Sequence, residues 1–364
     1  MLYFLSMYDP LVRSWEACLV ENTQLGISIE SMKAKSTDEI IFDIDEKSKL
    51  INCDNVADSV IGFIATAYIL LEEMRFSKTS SPQIGMVMLY FKFLDLALIA
   101  GGPNDDVLSI ISNSKILADT LYNSRQKHPS TFFVTTQPPC LPDTTTSLPT
   151  LYNPTFSEFD SRSQAPLILQ GLISMWPSLS KWKCPQFWQK LAGHRWFPVE
   201  FGSSYQDEKW RQDYVMLNDY LSDFVFNLNP TNIGYIAQHN WAFQLPVLRD
   251  DFSVPDICLL ASSGNVLTNF WYGMKDCFSP LHFDEYDNFF CQVVGYKEIL
   301  LIQDIGREVS SNSLNIECSE LERLVENTAH SRFIVGPGDV IFIPKGCWHQ
   351  VRSVTFSISI SFWY

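Results

Sequence analysis

The chain ends in the clearest β-strand pattern of the sequence. From Thr355 to Trp363, TFSISISFW, apolar and hydroxyl side chains alternate almost without exception. A period of two sends successive side chains to opposite faces, so the stretch is predicted as a strand with one face buried. The predicted buried face carries Phe356, Ile358, Ile360 and Phe362.

Shorter apolar runs separated by turn residues precede that strand. Phe289 to Val294 and Glu298 to Ile302 flank Gly295-Tyr296, an arrangement that predicts a β-hairpin. Two turn sequences, PGD and PKG, then divide three more runs, which predict a meander of short strands: Phe333 to Val335, Val340 to Ile343 and Cys347 to Val351. We therefore expect antiparallel sheet throughout this region.

The first 125 residues show patterns typical of helices. Asp9 precedes Pro10 as an N-cap does, and further helices are predicted at Val56 to Met74, Pro82 to Ala100 and Asp105 to Tyr122. We expect a small antiparallel helical domain over residues 1–125. Such a domain either stabilises the rest of the chain or docks a partner.

A change of composition separates this helical region from the sheet. Residues 126–165 are rich in Pro, Thr and Ser and are predicted as a linker or loop. Residues 166–364 form the second predicted domain, in which Gln206 to Asn227 carries apolar residues at helical spacing. The expected fold class is therefore α+β.

Composition narrows the partners and the compartment. A net charge of −15 argues against affinity for nucleic-acid backbone and favours basic peptide segments. The nine cysteines contain no C-x-x-C pair, so we expect reduced thiols in an intracellular protein of the nucleus or cytoplasm. The apolar run from Ile84 to Ala100 is interrupted by Lys92 and Asp95, so no membrane span is expected.

Three residues in the strand-rich region have the chemistry of a metal site. His282 and Asp284 stand two residues apart, and His349 lies in the later stretch GPGDVIFIPKGCWHQV. Two imidazoles and one carboxylate are the ligands of mononuclear non-heme iron sites, which keep open positions for other ligands. A lone His-x-Asp is weak evidence, but the surrounding strands strengthen the prediction.

The order of these motifs also resembles a known family. H-x-D, then strands ending in G-x-K, then G-D-x-x-F-I-P-x-x-x-W-H, resembles the JmjC branch of the 2-oxoglutarate-dependent oxygenases. The resemblance covers roughly residues 160–364 and implies a cupin-like double-stranded β-helix. The segments FPVEFGSSYQDEKW, IGYIAQH, FWYG and SISFW are similar, more narrowly, to JmjC arginyl hydroxylases.

The resemblance implies a cofactor and a set of site residues. It implies Fe(II) held by His282, Asp284 and His349, with 2-oxoglutarate and O2 as cosubstrates. Lys297 would pair with the distal carboxylate of 2-oxoglutarate, with a surface lysine as the alternative. The resemblance implies hydrogen bonds to the cosubstrate from three further residues: Asn288, Ser279 and Tyr235.

Glu200 bears on the choice of substrate. It stands in the apolar sequence FPVEF, where a buried carboxylate needs a cation. By resemblance, Glu200 would form a pocket with Tyr205 and Trp271 for an arginine side chain of a protein, although a structural salt bridge is the alternative. Histone N-methyl-lysine demethylation and a non-catalytic JmjC-fold binding module remain the other interpretations.

Overall fold

The computed structural model describes residues 56–76, 83–125, 148–202, 210–227, 230–262, 265–302 and 329–364. Its N-terminal part is helical and its C-terminal part is a pair of facing β-sheets with short helices packed on one of them. The predicted α+β class is confirmed. The N-cap expected at Asp9 lies outside the described residues.

The described residues of the N-terminal part form four helices: α1 (Val56–Phe76), α2 (Ile84–Gly101), α3 (Asp105–Asn113) and α4 (Lys115–Arg125). The single helix expected from Asp105 to Tyr122 is divided in two at Ser114. The Ser114 hydroxyl donates to the Ile110 carbonyl and also meets the Tyr90 hydroxyl at 2.8 Å. A serine that bonds back to the preceding turn competes with the continuing helix, which accounts for the break.

Six short helices are described in the C-terminal part: α5 (Phe156–Asp160), α6 (Ser178–Lys181), α7 (Pro185–Ala192), α8 (Leu217–Tyr220), α9 (Trp241–Gln244) and α10 (Asp256–Ala261). A π-helical turn over Leu221–Val225 continues α8, and a 3₁₀ turn covers Pro246–Asp250. Residues 148–165, placed by sequence in the linker, contain a strand and the helix α5, which begins with a Thr155–Glu158 capping box. The division into domains stays a prediction.

In the part of the chain that the structure describes, thirteen strands form a nine-stranded sheet and a four-stranded sheet. Their orders are β1-β2-β11-β8-β13-β6-β5-β3-β4 and β10-β9-β12-β7. The thirteen strands are β1 (Thr150–Tyr152), β2 (Leu167–Gln170), β3 (Trp196–Phe201), β4 (Arg211–Met216), β5 (Gly234–His239), β6 (Leu267–Gly273), β7 (Phe278–His282), β8 (Asn288–Val294), β9 (Lys297–Ile302), β10 (His330–Val335), β11 (Asp339–Ile343), β12 (Trp348–Ser353) and β13 (Ser357–Trp363).

The predicted hairpin and meander are both wrong, although their strands exist. β8 pairs with β11 and β13, whereas β9 pairs with β10 and β12 in the other sheet. The chain passes from β8 in one sheet to β9 in the other through Gly295, which has φ +71°. A Cβ at Gly295 would lie 1.9 Å from the Phe356 carbonyl oxygen. Local turn signals do not show which sheet a strand joins, and here successive strands mostly alternate between the two.

The sheets bury both faces of their central strands. Phe289, Cys291 and Val293 of β8 pack toward the helices, while Phe290 packs between the sheets. β13 is likewise buried at all seven positions, so the prediction of one buried face is wrong. Its serines are buried on the opposite face, where Ser357 meets Ser353 of the four-stranded sheet and Ser359 meets Gln292.

The helix predicted from Gln206 to Asn227 is also wrong over its first half. Residues 206–209 lie outside the described residues, and Arg211–Met216 is the edge strand β4, paired with β3 along its whole length. Its exposed polar side chains suit an edge strand. The ladder to β3 therefore overrides the helical spacing of the apolar residues.

Helix α2 ties the helical part to the sheet. It is the one described helix long and apolar enough to cross a membrane by length and composition, yet half of it is buried within the protein. Its fully buried Asp95 accepts hydrogen bonds from the Arg195 guanidinium at 2.9 Å, the Trp196 backbone N–H at 2.8 Å and the Gln244 amide at 2.8 Å. This buried charge pair fixes the start of β3.

Candidate metal centre and adjoining cavity

Strand pairing brings the three predicted metal ligands together. His282 at the end of β7 lies directly opposite His349 on β12, and their ring centroids are 4.3 Å apart. Asp284 follows in the loop after β7. One ligand atom from each of the three residues lies within 4.8 Å of the others.

The hydrogen bonds of the two imidazoles leave their other nitrogens available. His282 Nδ1 lies 2.6 Å from the Pro280 carbonyl oxygen, and His349 Nδ1 lies 3.0 Å from that of Cys347. A carbonyl accepts only, so in the neutral form of each ring Nδ1 carries the proton and Nε2 is the atom with the lone pair. This backbone contact orients an imidazole for a metal ion.

The three donors do not satisfy one another. The Nε2 atoms of His282 and His349 lie 3.8 and 3.6 Å from the Asp284 carboxylate oxygens, too far for hydrogen bonds. Burial lowers the pKa of His349 to about 3, so its ring is neutral, the form that binds metals. Burial raises the pKa of Asp284, which a cation between the three residues would reverse. The donor set therefore fits a divalent metal ion.

The two loops that carry the ligands are fastened to each other. Gly346 N–H donates to the Asp284 carbonyl at 3.0 Å, and Lys345 N–H donates to the Asp287 carboxylate at 2.8 Å. Asp287 in turn exchanges two backbone hydrogen bonds with Tyr364, at 3.2 and 3.1 Å. The position of Asp284 is thus set by the turn before β12 and by the end of β13.

A cavity between the two sheets adjoins the three ligands. Both sheets contribute to its lining, which includes the three ligands and eight other residues: Tyr235, Trp271, Ser279, Asn288, Phe290, Lys297, Val351 and Ser361. The structure therefore brings all four predicted cosubstrate residues to one cavity; their role in binding stays a prediction.

Lys297 is the unusual group of this cavity. It is 1% exposed, and its Nζ donates to the Tyr235 hydroxyl at 3.2 Å and lies 5.3 Å from the centre of the Phe290 ring. Burial lowers its pKa to about 7. No carboxylate of the described residues pairs with it, and a buried ammonium without an anion is costly. The surface-lysine alternative is therefore wrong, and the site suits a bound anion.

Asn288 presents a second group that suits a ligand. The residue is 3% exposed, and no described group donates to its side-chain oxygen. Ser279 lines the same cavity near the start of β7 and is half-buried. A bound acid with polar groups at both ends would meet the lysine, the amide and the metal ligands together.

Of the three residues predicted to bind the substrate, Trp271 lines the cavity and Glu200 does not. Glu200 on β3 lies directly opposite Tyr235 on β5, which puts both side chains on one face of the sheet. Glu200 does not line the cavity, and its half-buried side chain lies beside it. Trp271 does line the cavity, with its ring centre 5.9 Å from Lys297 Nζ. Tyr205 lies outside the described residues.

Two residues that shape the cavity, Ser361 and Gly273, were not predicted from the sequence as site residues. Ser361 is 1% exposed and lines the cavity, and its only sequence signal was the alternating hydroxyl face of TFSISISFW. Gly273 lies opposite Tyr235, where a Cβ would come within 2.6 Å of the Tyr235 ring. The FWYG segment therefore leaves the space in which this ring reaches Lys297.

Comparison with known proteins identifies relatives for the same region. Residues 154–364 match the family described as a cupin-like domain. The chain is 33% identical over 239 residues to "Lysine-specific demethylase 8" of Xenopus tropicalis, which covers 61% of this chain and 54% of that protein. It is also 33% identical over 239 residues to "Jumonji C domain-containing protein 5" of Drosophila melanogaster, covering 60% and 59%.

A plant relative is similar over a slightly shorter stretch. "Lysine-specific demethylase JMJ30" of Arabidopsis thaliana is 32% identical over 212 residues, which cover 55% of this chain and 49% of that protein. The chain thus spans about half the length of the curated relatives that it matches. The region that matches the family, residues 154–364, contains the candidate metal site and every described strand except β1.

Proposed function

This chain belongs to the cupin-like domain family, in its JmjC branch, and from that premise we propose that it is an Fe(II)- and 2-oxoglutarate-dependent oxygenase acting on protein. One observation carries the proposal. Three converging metal ligands lie at the same cavity as Lys297, a buried ammonium that no described carboxylate neutralises.

Each group of the site has a part in this proposal. His282, Asp284 and His349 would hold Fe(II), and the metal with 2-oxoglutarate would supply the activation of O2 for oxidising a C–H bond. Lys297 and the Tyr235 hydroxyl would bind the distal carboxylate of 2-oxoglutarate. Asn288 and Ser279 would add hydrogen bonds that fix its orientation. The aromatic walls of Phe290 and Trp271 would keep bulk water out.

For the substrate we infer an arginine side chain. Glu200 lies across from Tyr235, next to the cavity, and its carboxylate could accept two parallel hydrogen bonds from a guanidinium. Trp271 could stack on the same cation. A net charge of −15 favours a basic segment of a partner protein. Tyr205 stays a predicted third wall.

Methyl-lysine demethylation is the second candidate. The names of two of the relatives favour it, since both are called lysine-specific demethylases. The same metal ligands and cosubstrate residues would serve either reaction, because both begin with oxidation of a C–H bond. The two reactions differ in the cation that Glu200 must hold, since a dimethylated ammonium offers one N–H at most.

Glu200→Gln is the variant that tests the arginine assignment. It keeps the side-chain shape and removes the charge. The stabilisation of the transition state with an arginine peptide, calculated from kcat/KM, should therefore fall by about 1–3 kcal/mol. Peptide-independent turnover of 2-oxoglutarate should persist, because the metal ligands are unchanged. Mass spectrometry of the peptide and succinate release measure the two quantities.

Asp213→Asn is the matched control. Asp213 is a carboxylate of the adjacent strand β4, exposed and 3.2 Å from the Arg211 guanidinium. Its removal changes the net charge by the same amount away from the site, so arginine activity should be retained. An equal loss in both variants would assign the effect to bulk charge and overturn the role of Glu200.

The cysteines of the described residues bear on the cellular compartment of the protein. All five described cysteines are free, four of them buried, which suits a reducing compartment. We therefore propose that the protein acts inside the cell, in the nucleus or the cytoplasm. Its partner there would be a protein with an exposed arginine in a basic segment.

A further inference from the structure

Ser361 is a buried hydroxyl inside the proposed cosubstrate cavity. It lies on β13, and its side chain is on the face that looks toward the four-stranded sheet. Its Oγ accepts a hydrogen bond from the Trp271 indole N–H at 3.2 Å. Two residues back along the strand, Ser359 lies directly opposite Trp271.

The hydroxyl hydrogen of Ser361 has no acceptor among the described residues. The neighbouring serine is different, because Ser359 donates at 2.7 Å to the Gln292 side-chain oxygen. The Gln292 amide nitrogen donates in turn to the carbonyl oxygens of Val294 and Gly295, at 2.7 and 3.0 Å. Ser359 thus completes a closed polar network, whereas Ser361 keeps one donor for the cavity.

Trp271 connects this serine to the buried ammonium. The indole ring centre lies 5.9 Å from Lys297 Nζ and 5.9 Å from the Tyr235 ring centre. An indole held at one end by Ser361 therefore has a fixed plane along the wall of the cavity. A cavity with a fixed wall binds a ligand at a lower entropic cost than one with a mobile wall.

We propose that Ser361 is a positioning residue for 2-oxoglutarate: its oxygen fixes the Trp271 indole, and its hydroxyl donates to the carboxylate that Lys297 attracts. This inference rests on the proposed function and adds a residue to that site. It also explains why β13 carries a hydroxyl at a fully buried position where an apolar side chain would otherwise pack.

The test is the affinity of the full chain for 2-oxoglutarate with Mn(II), measured by calorimetry. Ser361→Ala is expected to weaken binding about tenfold, the equivalent of one hydrogen bond to a charged group. It should raise the KM for 2-oxoglutarate more than it lowers kcat. Ser361→Thr retains the hydroxyl and should restore affinity to within about threefold of wild type.

Trp271→Phe tests whether Ser361 acts through the indole. The Ser361→Ala change should cost less affinity in the Trp271→Phe background than in wild type, because the indole N–H is then already absent. Ser359→Ala is the matched control, a buried serine on the same face. It should lower the melting temperature, because Gln292 loses its donor, and leave the 2-oxoglutarate affinity unchanged.

The binding measurements distinguish a failure of the role of Ser361 from a failure of the proposed function. If wild type fails to bind 2-oxoglutarate, the proposed function falls. If wild type binds it and Lys297→Ala weakens binding, but a folded Ser361→Ala variant binds as wild type does, the role of Ser361 is overturned. Equal losses of affinity in the Ser361→Ala and Ser359→Ala variants would also overturn it, because general destabilisation would then explain both.

Discussion

The three proposed metal ligands differ in exposure. The His349 side chain is 5% exposed, Asp284 14% and His282 26%. His282 can therefore be replaced with the least harm to packing. His282→Ala should lose Mn(II) binding and 2-oxoglutarate turnover while it keeps a cooperative melt, because one of three protein ligands is gone.

Metal binding followed by electron paramagnetic resonance, with a thermal melt, checks that prediction. His330→Ala, another half-exposed histidine on a strand of the same sheet, is the control and should bind Mn(II) as wild type does. A His282→Ala protein that still binds the metal with wild-type affinity would remove His282 from the site.

The pKa of Lys297 gives a prediction about pH. Burial lowers it to about 7, and a carboxylate binds the protonated ammonium. Affinity for 2-oxoglutarate should therefore be highest below about pH 7 and fall by up to about tenfold for each further pH unit. Calorimetry of the Mn(II)-loaded protein across this range measures it.

Lys297→Met is the control for that titration. Its affinity for 2-oxoglutarate should be weak and nearly independent of pH over the same range, because the titrating group is gone. The same slope in wild type and in Lys297→Met would mean that another group titrates, and Lys297 would lose its assigned part.

The sequence allowed some of these side chains to be predicted and left others out of reach. His282, Asp284 and His349 could be predicted because the order of their motifs resembles that of a known family, although a lone His-x-Asp is weak evidence. Ser361 could not, because a serine in an alternating strand has the same pattern whether it faces solvent, a polar core or a ligand. The neighbour that distinguishes these cases, Trp271, is remote in sequence.

Strand β13 shows how far burial exceeds what alternation predicts. It lies between β8 and β6, and Ile360 on it is fully buried. Ile360→Ala should lower the free energy of unfolding by about 2–5 kcal/mol, because it leaves a cavity in the centre of the sheet. Urea unfolding followed by circular dichroism measures the change.

Leu267→Ala on the neighbouring strand is the comparison. Leu267 is 49% exposed, so its removal should change the free energy of unfolding by no more than about 0.5 kcal/mol. A similar, small effect from both substitutions would show that β13 contributes little to the core.

The strands were easier to predict than their partners. Apolar runs and turn residues located β8, β9, β11 and β12 within a few residues, because these signals are local. The pairing was wrong because a Gly295 turn that joins two strands can lead into a hairpin or across to another sheet. The burial of β8 on both faces, which decides between these outcomes, depends on helices and strands elsewhere in the chain.

The buried ion pair between Asp95 and Arg195 joins the helical part to the nine-stranded sheet. Asp95 and Arg195 are 0% and 4% exposed in their side chains, so removing one leaves the other charged and buried. Asp95→Ala should therefore lower the free energy of unfolding by about 3–5 kcal/mol. Chemical denaturation measures this value.

The double variant Asp95→Leu with Arg195→Met removes both charges and is the matched control. It should be more stable than Asp95→Ala because no uncompensated charge remains, and less stable than wild type because the Trp196 backbone N–H loses its acceptor. An Asp95→Ala protein as stable as wild type would show that the helical part is held by apolar contacts alone. This link was invisible in the sequence, since Asp95 was seen only as a charge that interrupts an apolar run.

The reaction proposed for the His282, Asp284 and His349 site is oxidation of an arginine side chain at the expense of 2-oxoglutarate. It is tested by mass spectrometry of matched arginine and methyl-lysine peptides after incubation with the full chain, Fe(II), 2-oxoglutarate and O2. The predicted result is one oxygen atom added to the arginine peptide for each succinate formed, with no formaldehyde from methyl-lysine. Formaldehyde from the methyl-lysine peptide, with arginine left unmodified, would contradict the claim.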